Sequence, residues 1–299
     1  MMKYRKLGTS SLEVSEVSFG CMSLGSDEQE NRQLISDAID GGINLFDTAD
    51  IYDNGRNEQM LGAALKGKRT SVLIASKVGN RLRADGSGWD WAPTRAYIIA
   101  SIEDTLRRLQ TDYLDLYQLH GGTIDDPIDE IIEAFELLKQ QGKIRYYGIS
   151  SIRPNVIREY IKRSSIVSVM MQYSLLDRRP EEICFPLLED ARIGILVRGS
   201  VARGLLAGKP VAEYLKYNKL DVHKMAMAVA SISSEARNQM QTAVRYVLQH
   251  EPVTSAVVGI RTPEQLRSAL SVADTQALTA HELEYLNQVL HPNFYEEHR

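Results

Sequence analysis

Short apolar runs alternate with amphipathic segments from one end of the chain to the other. The runs are rich in β-branched and aromatic residues, which favour strands. Between them, apolar residues recur at spacings of three and four, which is typical of helices that bury one face. The predicted strands cover residues 14–20, 44–48, 71–77, 113–120, 145–150, 166–172, 194–198 and 254–259. Strands that alternate with helices in this way favour a parallel sheet built from βαβ units.

Eight such units without a linker or low-complexity break fit a closed barrel better than two stacked domains. We therefore expect an α/β fold, a (β/α)8 TIM barrel, with residues 1–299 forming a single domain. Residues 2–14 precede the alternation and contain the turn-forming pair Gly8 and Thr9, so they predict an N-terminal β-hairpin under the barrel. Residues 205–233 are too long for a simple connection after strand 7, and they predict a long loop with one short helix at about residues 222–231.

Composition limits the partners that such a barrel can have. Hydrophobic residues make up 43% of the chain and charged residues 25%, which is enough to bury a globular core. The formal net charge of −4 gives no general attraction to nucleic acid or to an anionic membrane surface. We expect neither partner, and we expect a monomer.

The two cysteines, Cys21 and Cys184, lie far apart and outside any CxxC or CxxH pairing. This spacing argues against a disulfide framework and against a zinc site, so no metal is expected. The first twenty residues lack the apolar region of a signal peptide, and no stretch approaches the roughly eighteen apolar residues of a membrane span. We therefore expect a cytoplasmic protein.

Four titratable residues of different types stand at or just after the ends of successive predicted strands. Asp47 closes the second strand, Tyr52 follows it, Lys77 ends the third, and His120 ends the fourth. In barrel enzymes the working residues lie at the carboxyl ends of the strands and in the loops that follow. An acid, a phenol, an amine and an imidazole are therefore expected at one mouth.

Three segments carry these residues: GGINLFDTADIYDNGRNEQMLGAAL, SVLIASKV and DYLDLYQLH. Four later segments follow in order: RYYGISS, MQYSLLDR, VARGLLAGK and VVGIRTPEQLRSAL. Together they resemble the aldo-keto reductase family over essentially the whole chain. The resemblance implies an NADPH-dependent oxidoreductase that reduces the carbonyl group of a small aldehyde or ketone.

The resemblance makes Tyr52 the proton donor to the developing alkoxide. A free phenol is a weak acid at neutral pH, so Lys77 would assist it as a neighbouring cation. Asp47 would hold the lysine, and His120 would hydrogen-bond the carbonyl oxygen. Two alternatives stay open: a lyase or isomerase that uses Lys77 as a Schiff-base nucleophile, and a redox-sensing subunit that binds NADP(H) with little or no turnover.

No Gly-x-Gly-x-x-Gly follows a predicted strand, so a Rossmann cofactor site is not indicated. The resemblance instead implies NADP(H) bound across the mouth by Asp47, Ser150, Ser151, Gln172, Arg198, Ser200, Arg203, Gly259, Arg261, Thr262 and Gln265. Thr262 and Pro263 predict a capped helix start, a suitable phosphate site beside Arg261.

Three positions depart from the family pattern. Asn is common where this chain has Ser151, an aromatic ring usually stands at Arg198, and Asn often occupies the place of Ala269. The long predicted loop of residues 79–93 also carries Trp89 and Trp91, either as pocket-lining residues or as anchors of the loop itself.

Overall fold

The protein is described here by a computed structural model that covers residues 1–83 and 85–299. Its strands are β1 (Tyr4–Lys6), β2 (Glu13–Ser15), β3 (Val17–Gly20), β4 (Leu45–Asp47), β5 (Leu73–Val78), β6 (Asn80–Leu82), β7 (Trp89–Trp91), β8 (Leu114–Leu119), β9 (Ile144–Ser150), β10 (Ser168–Gln172), β11 (Gly194–Arg198) and β12 (Val253–Gly259). Its helices are α1 (Glu28–Asp40), α2 (Arg56–Ala64), α3 (Arg95–Leu109), α4 (Ile128–Gln140), α5 (Pro154–Arg163), α6 (Cys184–Asp190), α7 (Lys219–Ser231), α8 (Gln239–Leu248), α9 (Pro263–Leu270) and α10 (Ala280–Val289).

Eight of the strands close into a parallel barrel, in the order β3, β4, β5, β8, β9, β10, β11, β12 and back to β3. The predicted (β/α)8 barrel is confirmed, and each predicted strand overlaps one barrel strand. The first prediction was too long, because residues 14–20 divide into β2 and β3 at Glu16. There the chain leaves the antiparallel pairing with β1 and enters the parallel pairing with β4 and β12.

The N-terminal hairpin of β1 and β2 fills the bottom of the barrel, as predicted. Leu7, Leu12 and Val14 are buried in one apolar cluster with side chains from the barrel strands, among them Leu45, Ala75, Leu116, Met170, Leu196 and Val257. Burial of a leucine or valine side chain stabilises a fold by roughly 1.5–3 kcal/mol. The hairpin therefore closes the end of the barrel that lies opposite the carboxyl ends of its strands.

Two connections differ from their predictions. Residues 79–93, predicted as a loop, contain the antiparallel strands β6 and β7. After β11, the predicted helix begins earlier, at Lys219, because the Asn218 side chain accepts hydrogen bonds from the backbone N–H groups of Leu220 and Asp221. A 3-10 segment over Ala202–Ala207 precedes that helix.

None of the helices in residues 1–83 and 85–299 is both long enough and apolar enough to cross a membrane.

Gly8 allows the hairpin to approach the barrel closely. Its φ is +54°, and an added Cβ would lie 2.3 Å from the Val167 carbonyl oxygen and 2.8 Å from the Gly194 nitrogen. We expect Gly8→Ala to destabilise the protein well beyond the roughly 1–2 kcal/mol of a left-handed alanine, because the clash is with backbone. Urea unfolding measures this cost.

Gly67 offers a matched control, because its φ is +79° and no heavy atom lies within 4 Å of an added Cβ. Gly67→Ala carries the backbone strain without the clash. Equal destabilisation by the two variants would show that contact with the barrel bottom does not constrain Gly8.

Candidate active site

The structure brings the four predicted residues together at the carboxyl-end rim of the barrel. Asp47 is the last residue of β4, Lys77 lies near the end of β5, and His120 follows β8 directly. Tyr52 begins a short 3-10 turn in the loop after β4. Because β4, β5 and β8 are consecutive in the barrel, their carboxyl ends and the loops that follow them lie next to one another.

The Lys77 ammonium is buried and makes three hydrogen bonds. It donates to Asp47 Oδ1 at 2.7 Å, to the Thr48 carbonyl oxygen at 2.7 Å and to the Tyr52 hydroxyl at 3.3 Å. Burial alone would lower the pKa of Lys77, but the Asp47 carboxylate and the Tyr52 hydroxyl hold it above its ordinary value. Lys77 is therefore a cation at neutral pH, and one of its N–H groups is directed at the phenol.

His120 stands beside the same phenol as an uncharged ring. The Tyr52 and His120 ring centroids are 5.8 Å apart and the rings are nearly perpendicular. Burial, with the nearby charges of Lys77 and Arg198, lowers the pKa of His120 to about 3. Its Nδ1 atom is buried and has no hydrogen-bond partner among the described residues. At neutral pH this ring can offer a hydrogen bond without adding charge.

Asn57 supports the lysine site from α2, a contact that no sequence pattern indicated. Its Oδ1 accepts from the Thr48 hydroxyl at 2.7 Å, and its Nδ2 donates to the Cys21 carbonyl oxygen at 2.8 Å. Asn57 thereby joins the loops that follow β3 and β4. It also restrains Thr48, whose carbonyl oxygen accepts from Lys77.

Two further carboxyl groups, those of Glu58 and Asp50, are buried behind the rim. Glu58 is fully buried and accepts hydrogen bonds from Ser76, the neighbour of Lys77, at 2.5 Å and from Arg108 at 2.6 Å. Asp50 is also buried, and neither of its carboxyl oxygens has a side-chain partner among the described residues. Burial and the neighbouring Glu58 raise the pKa of Asp50 to about 8, so this carboxyl is mostly protonated at neutral pH.

Most residues predicted to bind the cofactor line the other half of the rim. Ser150, Gln172, Arg198 and Gly259 are the last residues of β9, β10, β11 and β12. Ser151, Ser200 and Arg203 follow on adjoining loops, while Arg261, Thr262 and Gln265 lie at the start of α9. The structure therefore brings the predicted residues to one face.

The predicted start of α9 is confirmed. The Thr262 hydroxyl accepts from the Gln265 backbone N–H at 3.3 Å, and Pro263 occupies the first turn. Gln265 folds back, because its Oε1 accepts from the Arg261 backbone N–H at 2.8 Å. Arg261 is exposed and directly precedes the N-cap residue Thr262.

Gln172 has a fixed orientation that the sequence did not indicate. Its Nε2 donates to Asp177 Oδ2 at 2.8 Å, and its Oε1 accepts from Arg198 Nη1 at 3.0 Å. Asp177 is fully buried and is held by two hydrogen bonds from Arg179, each 2.7 Å long. The amide oxygen of Gln172 therefore faces Arg198.

The two tryptophans of the β6–β7 hairpin have different surroundings. Trp91 donates from Nε1 to Asp126 Oδ1 at 2.8 Å, which ties the hairpin to the loop after β8. Its ring lies over Gly79 and Gly121, at a distance of 3.4 Å from an added Cβ at Gly121. Trp89 is half exposed. Trp91 thus anchors the hairpin next to His120, in agreement with the second of its two predicted roles.

Comparison with known proteins identifies the class to which this fold and rim belong. The model of the Aldo/keto reductase family matches residues 16–291. The chain therefore belongs to the aldo/keto reductase family and is an oxidoreductase.

Individual relatives agree with this assignment. An uncharacterized oxidoreductase, YqkF of Bacillus subtilis (strain 168), is 47% identical, and the match covers 100% of both chains. Among solved structures, the holo form of aldo-keto reductase AKR11C1 from Bacillus halodurans has a TM-score of 0.95 and 51% identity, again over 100% of both chains. The glycerol dehydrogenase AKR11B4 of Gluconobacter oxydans has a TM-score of 0.86 and 27% identity, over 99% of this chain and 98% of that one.

Asp50 predicts an unusual dependence of stability on pH. In the unfolded chain an aspartate titrates near about 3.9, whereas the folded protein raises the pKa of Asp50 to about 8. Between these values the folded state binds more protons, so the contribution of Asp50 to stability falls as pH rises. We expect Asp50→Asn to become more stable relative to wild type by up to about 1.4 kcal/mol per pH unit across this window.

Urea unfolding of both proteins at several pH values from about 5 to 8 measures this difference. Asp53→Asn removes an exposed carboxyl from the same loop and controls for the loss of charge. A difference between wild type and Asp50→Asn that stays constant with pH would contradict the assignment of a buried, protonated Asp50.

Proposed function

We propose that this protein is an NADPH-dependent reductase that converts an aldehyde or ketone to the alcohol, with Tyr52 as the general acid. One observation carries the proposal. The buried Lys77 ammonium directs an N–H at the Tyr52 hydroxyl, and a neutral His120 ring lies beside the same phenol.

The substrate carbonyl oxygen would lie between the Tyr52 hydroxyl and the His120 ring. The bound nicotinamide would supply the hydride to the carbonyl carbon. Tyr52 then gives its proton to the developing alkoxide, and the phenolate left behind accepts a stronger hydrogen bond from Lys77. Asp47 and the Thr48 carbonyl keep the ammonium in place during this step. His120 stabilises the negative oxygen by hydrogen bonding, in the manner of an oxyanion hole.

Features of the rim support cofactor binding there. Asp47 Oδ2 is buried and has no partner among the described residues, so it can accept a hydrogen bond from a ribose hydroxyl. At Gly259 an added Cβ would lie 2.4 Å from the Ser23 hydroxyl, so the backbone there is tightly packed and carries no side chain over the rim. Gln172 would hold the carboxamide through its oxygen. The remaining proposed contacts are Ser150, Ser151, Arg198, Ser200, Arg203, Arg261, Thr262 and Gln265.

The Schiff-base alternative is less well supported. A nucleophilic lysine must be neutral, whereas Asp47 and Tyr52 raise the pKa of Lys77 and its ammonium makes three hydrogen bonds. A redox-sensing role would use the same cofactor site. Measurable turnover of a carbonyl substrate distinguishes the reductase from such a sensor. Because one chain supplies all four rim residues, we also propose that it acts as a single domain and as a monomer. A location in the cytoplasm is a further part of this proposal.

Tyr52→Phe is expected to lower turnover roughly 10²–10⁴-fold, because it removes the proton donor. The dissociation constant for NADPH should change little, since the hydroxyl hydrogen-bonds Lys77, which is not one of the proposed cofactor contacts. Loss of NADPH absorbance with a panel of aldehydes and ketones measures the first quantity, and fluorescence titration measures the second.

Tyr4→Phe serves as the control, because the Tyr4 hydroxyl donates to Gly42 at the opposite end of the barrel. Turnover in Tyr52→Phe above about a tenth of wild type, with chemistry rate-limiting, is incompatible with Tyr52 as the acid.

Arg261 predicts a preference for NADPH over NADH. Arg261 is exposed and directly precedes Thr262, the N-cap residue of α9, where the positive end of the helix dipole favours an anion. A charge-assisted hydrogen bond to the 2′-phosphate is worth roughly 1.5–3 kcal/mol, so Arg261→Ala should lower kcat/KM for NADPH roughly ten- to hundredfold. The value for NADH should stay the same.

Arg267→Ala removes an exposed arginine within α9, one that pairs with Glu264, and should leave kcat/KM for both cofactors near wild type. Equal kcat/KM values for NADPH and NADH in wild type would refute the assignment of Arg261 to the 2′-phosphate. An unchanged ratio of these two values in Arg261→Ala would refute it as well.

A further inference from the structure

The positive charges at the rim are not all neutralised. Lys77 is paired with Asp47 at 2.7 Å, and the pKa of His120, lowered to about 3 by burial, Lys77 and Arg198, leaves that ring neutral. Arg198 ends β11 with an exposed side chain, and its hydrogen-bond partner is the uncharged Gln172 amide. Among residues 1–83 and 85–299, no acid forms an ion pair with Arg198. Arg198 therefore brings an uncompensated cation to the rim.

The position of this cation is built into the fold. Gln172 and Arg198 are opposite each other on the neighbouring strands β10 and β11. Asp177, itself held by Arg179, fixes the Gln172 nitrogen and turns the amide oxygen toward Arg198. Arg198 Nη1 thus lies 3.0 Å from that oxygen, which gives the guanidinium a defined partner on the rim.

The charge of Arg198 also reaches the opposite side of the mouth. After burial and Lys77, it is the next influence on the pKa of His120, which it lowers. For Asp47, burial raises the pKa, and Lys77 and Arg198 act against that rise. A nicotinamide ring held by Gln172 would therefore lie within the field of Arg198.

We propose that Arg198 makes this site discriminate between the two oxidation states of its nicotinamide cofactor, favouring NADPH over NADP⁺. This inference rests on the proposed function. The reduced nicotinamide ring is uncharged, whereas the oxidised ring carries one positive charge. Repulsion by Arg198 weakens binding of the oxidised ring only, because the phosphates and the adenine are common to both forms. The site then favours loading with NADPH and the release of the oxidised cofactor.

The size of the effect follows from Coulomb's law. Two unit charges a few ångströms apart at a partly exposed surface interact with an energy between the bulk-water and the low-dielectric limits. Loss of the Arg198 charge should therefore shift the ratio of the NADP⁺ and NADPH dissociation constants roughly tenfold in favour of NADP⁺.

Isothermal titration calorimetry of both cofactor forms, without substrate, tests this ratio in wild type, Arg198→Met and Arg198→Lys. We expect Arg198→Met to reduce the preference for NADPH roughly tenfold. Arg198→Lys keeps the charge and should retain most of the preference. In wild type, higher salt should also reduce the preference, because it screens the repulsion, and this measurement needs no variant.

Arg261→Ala is the matched control. It removes a cation that we assign to the 2′-phosphate, which both oxidation states carry, so both forms should bind more weakly with an unchanged ratio. The inference would be overturned if Arg198→Met left the ratio of the two dissociation constants unchanged. It would also be overturned if Arg198→Lys reduced the preference for NADPH as much as Arg198→Met does. An unchanged ratio together with lost binding of an anionic keto acid would assign Arg198 to the substrate instead. Folded wild type that binds neither NADPH nor NADP⁺ would overturn the proposed function itself.

Discussion

Closure of eight parallel strands is the constraint on which the rest of the structure depends. Closure pairs the backbone groups that an open sheet would expose at its edges, and it sets all eight carboxyl ends on one rim. Asp47, Lys77 and His120 come from separate strands and meet only because β4, β5 and β8 are consecutive in the barrel. The N-terminal hairpin fills the opposite end, so the rim is the end left open for chemistry.

Within the rim, the burial of Lys77 determines the arrangement of its neighbours. A buried ammonium is costly unless its N–H groups find acceptors. Asp47, the Thr48 carbonyl and the Tyr52 hydroxyl supply three. Asn57 restrains Thr48. The hydrogen bond from Lys77 to Tyr52, at 3.3 Å, is the longest of the three. In the proposed mechanism it strengthens as the phenol gives up its proton.

The rim also carries polar atoms that its own residues do not satisfy. Asp47 Oδ2 and His120 Nδ1 are buried without partners among the described residues. Such an atom costs a fold roughly 1–3 kcal/mol, and the large apolar core of the barrel offsets this. By contrast, Gln172 and the start of α9 bond within the protein. A cofactor would therefore meet fixed side chains at Gln172 and at the start of α9. At Asp47 and His120 it would meet polar atoms that still lack hydrogen-bond partners.

The sequence by itself determined the barrel, the N-terminal hairpin and the capped start of α9, because each depends on periodicity or on residues close in the chain. It also indicated which residues would share the rim, although the roles of Asp47, Tyr52, Lys77 and His120 remain predictions. Only the tertiary structure decided the β6–β7 hairpin, the buried Asp50, the restraint of Thr48 by Asn57 and the link from Asp177 through Gln172 to Arg198. These features depend on burial and on hydrogen bonds between side chains that follow no repeating pattern. They exist only once strand closure has set the distances between the loops.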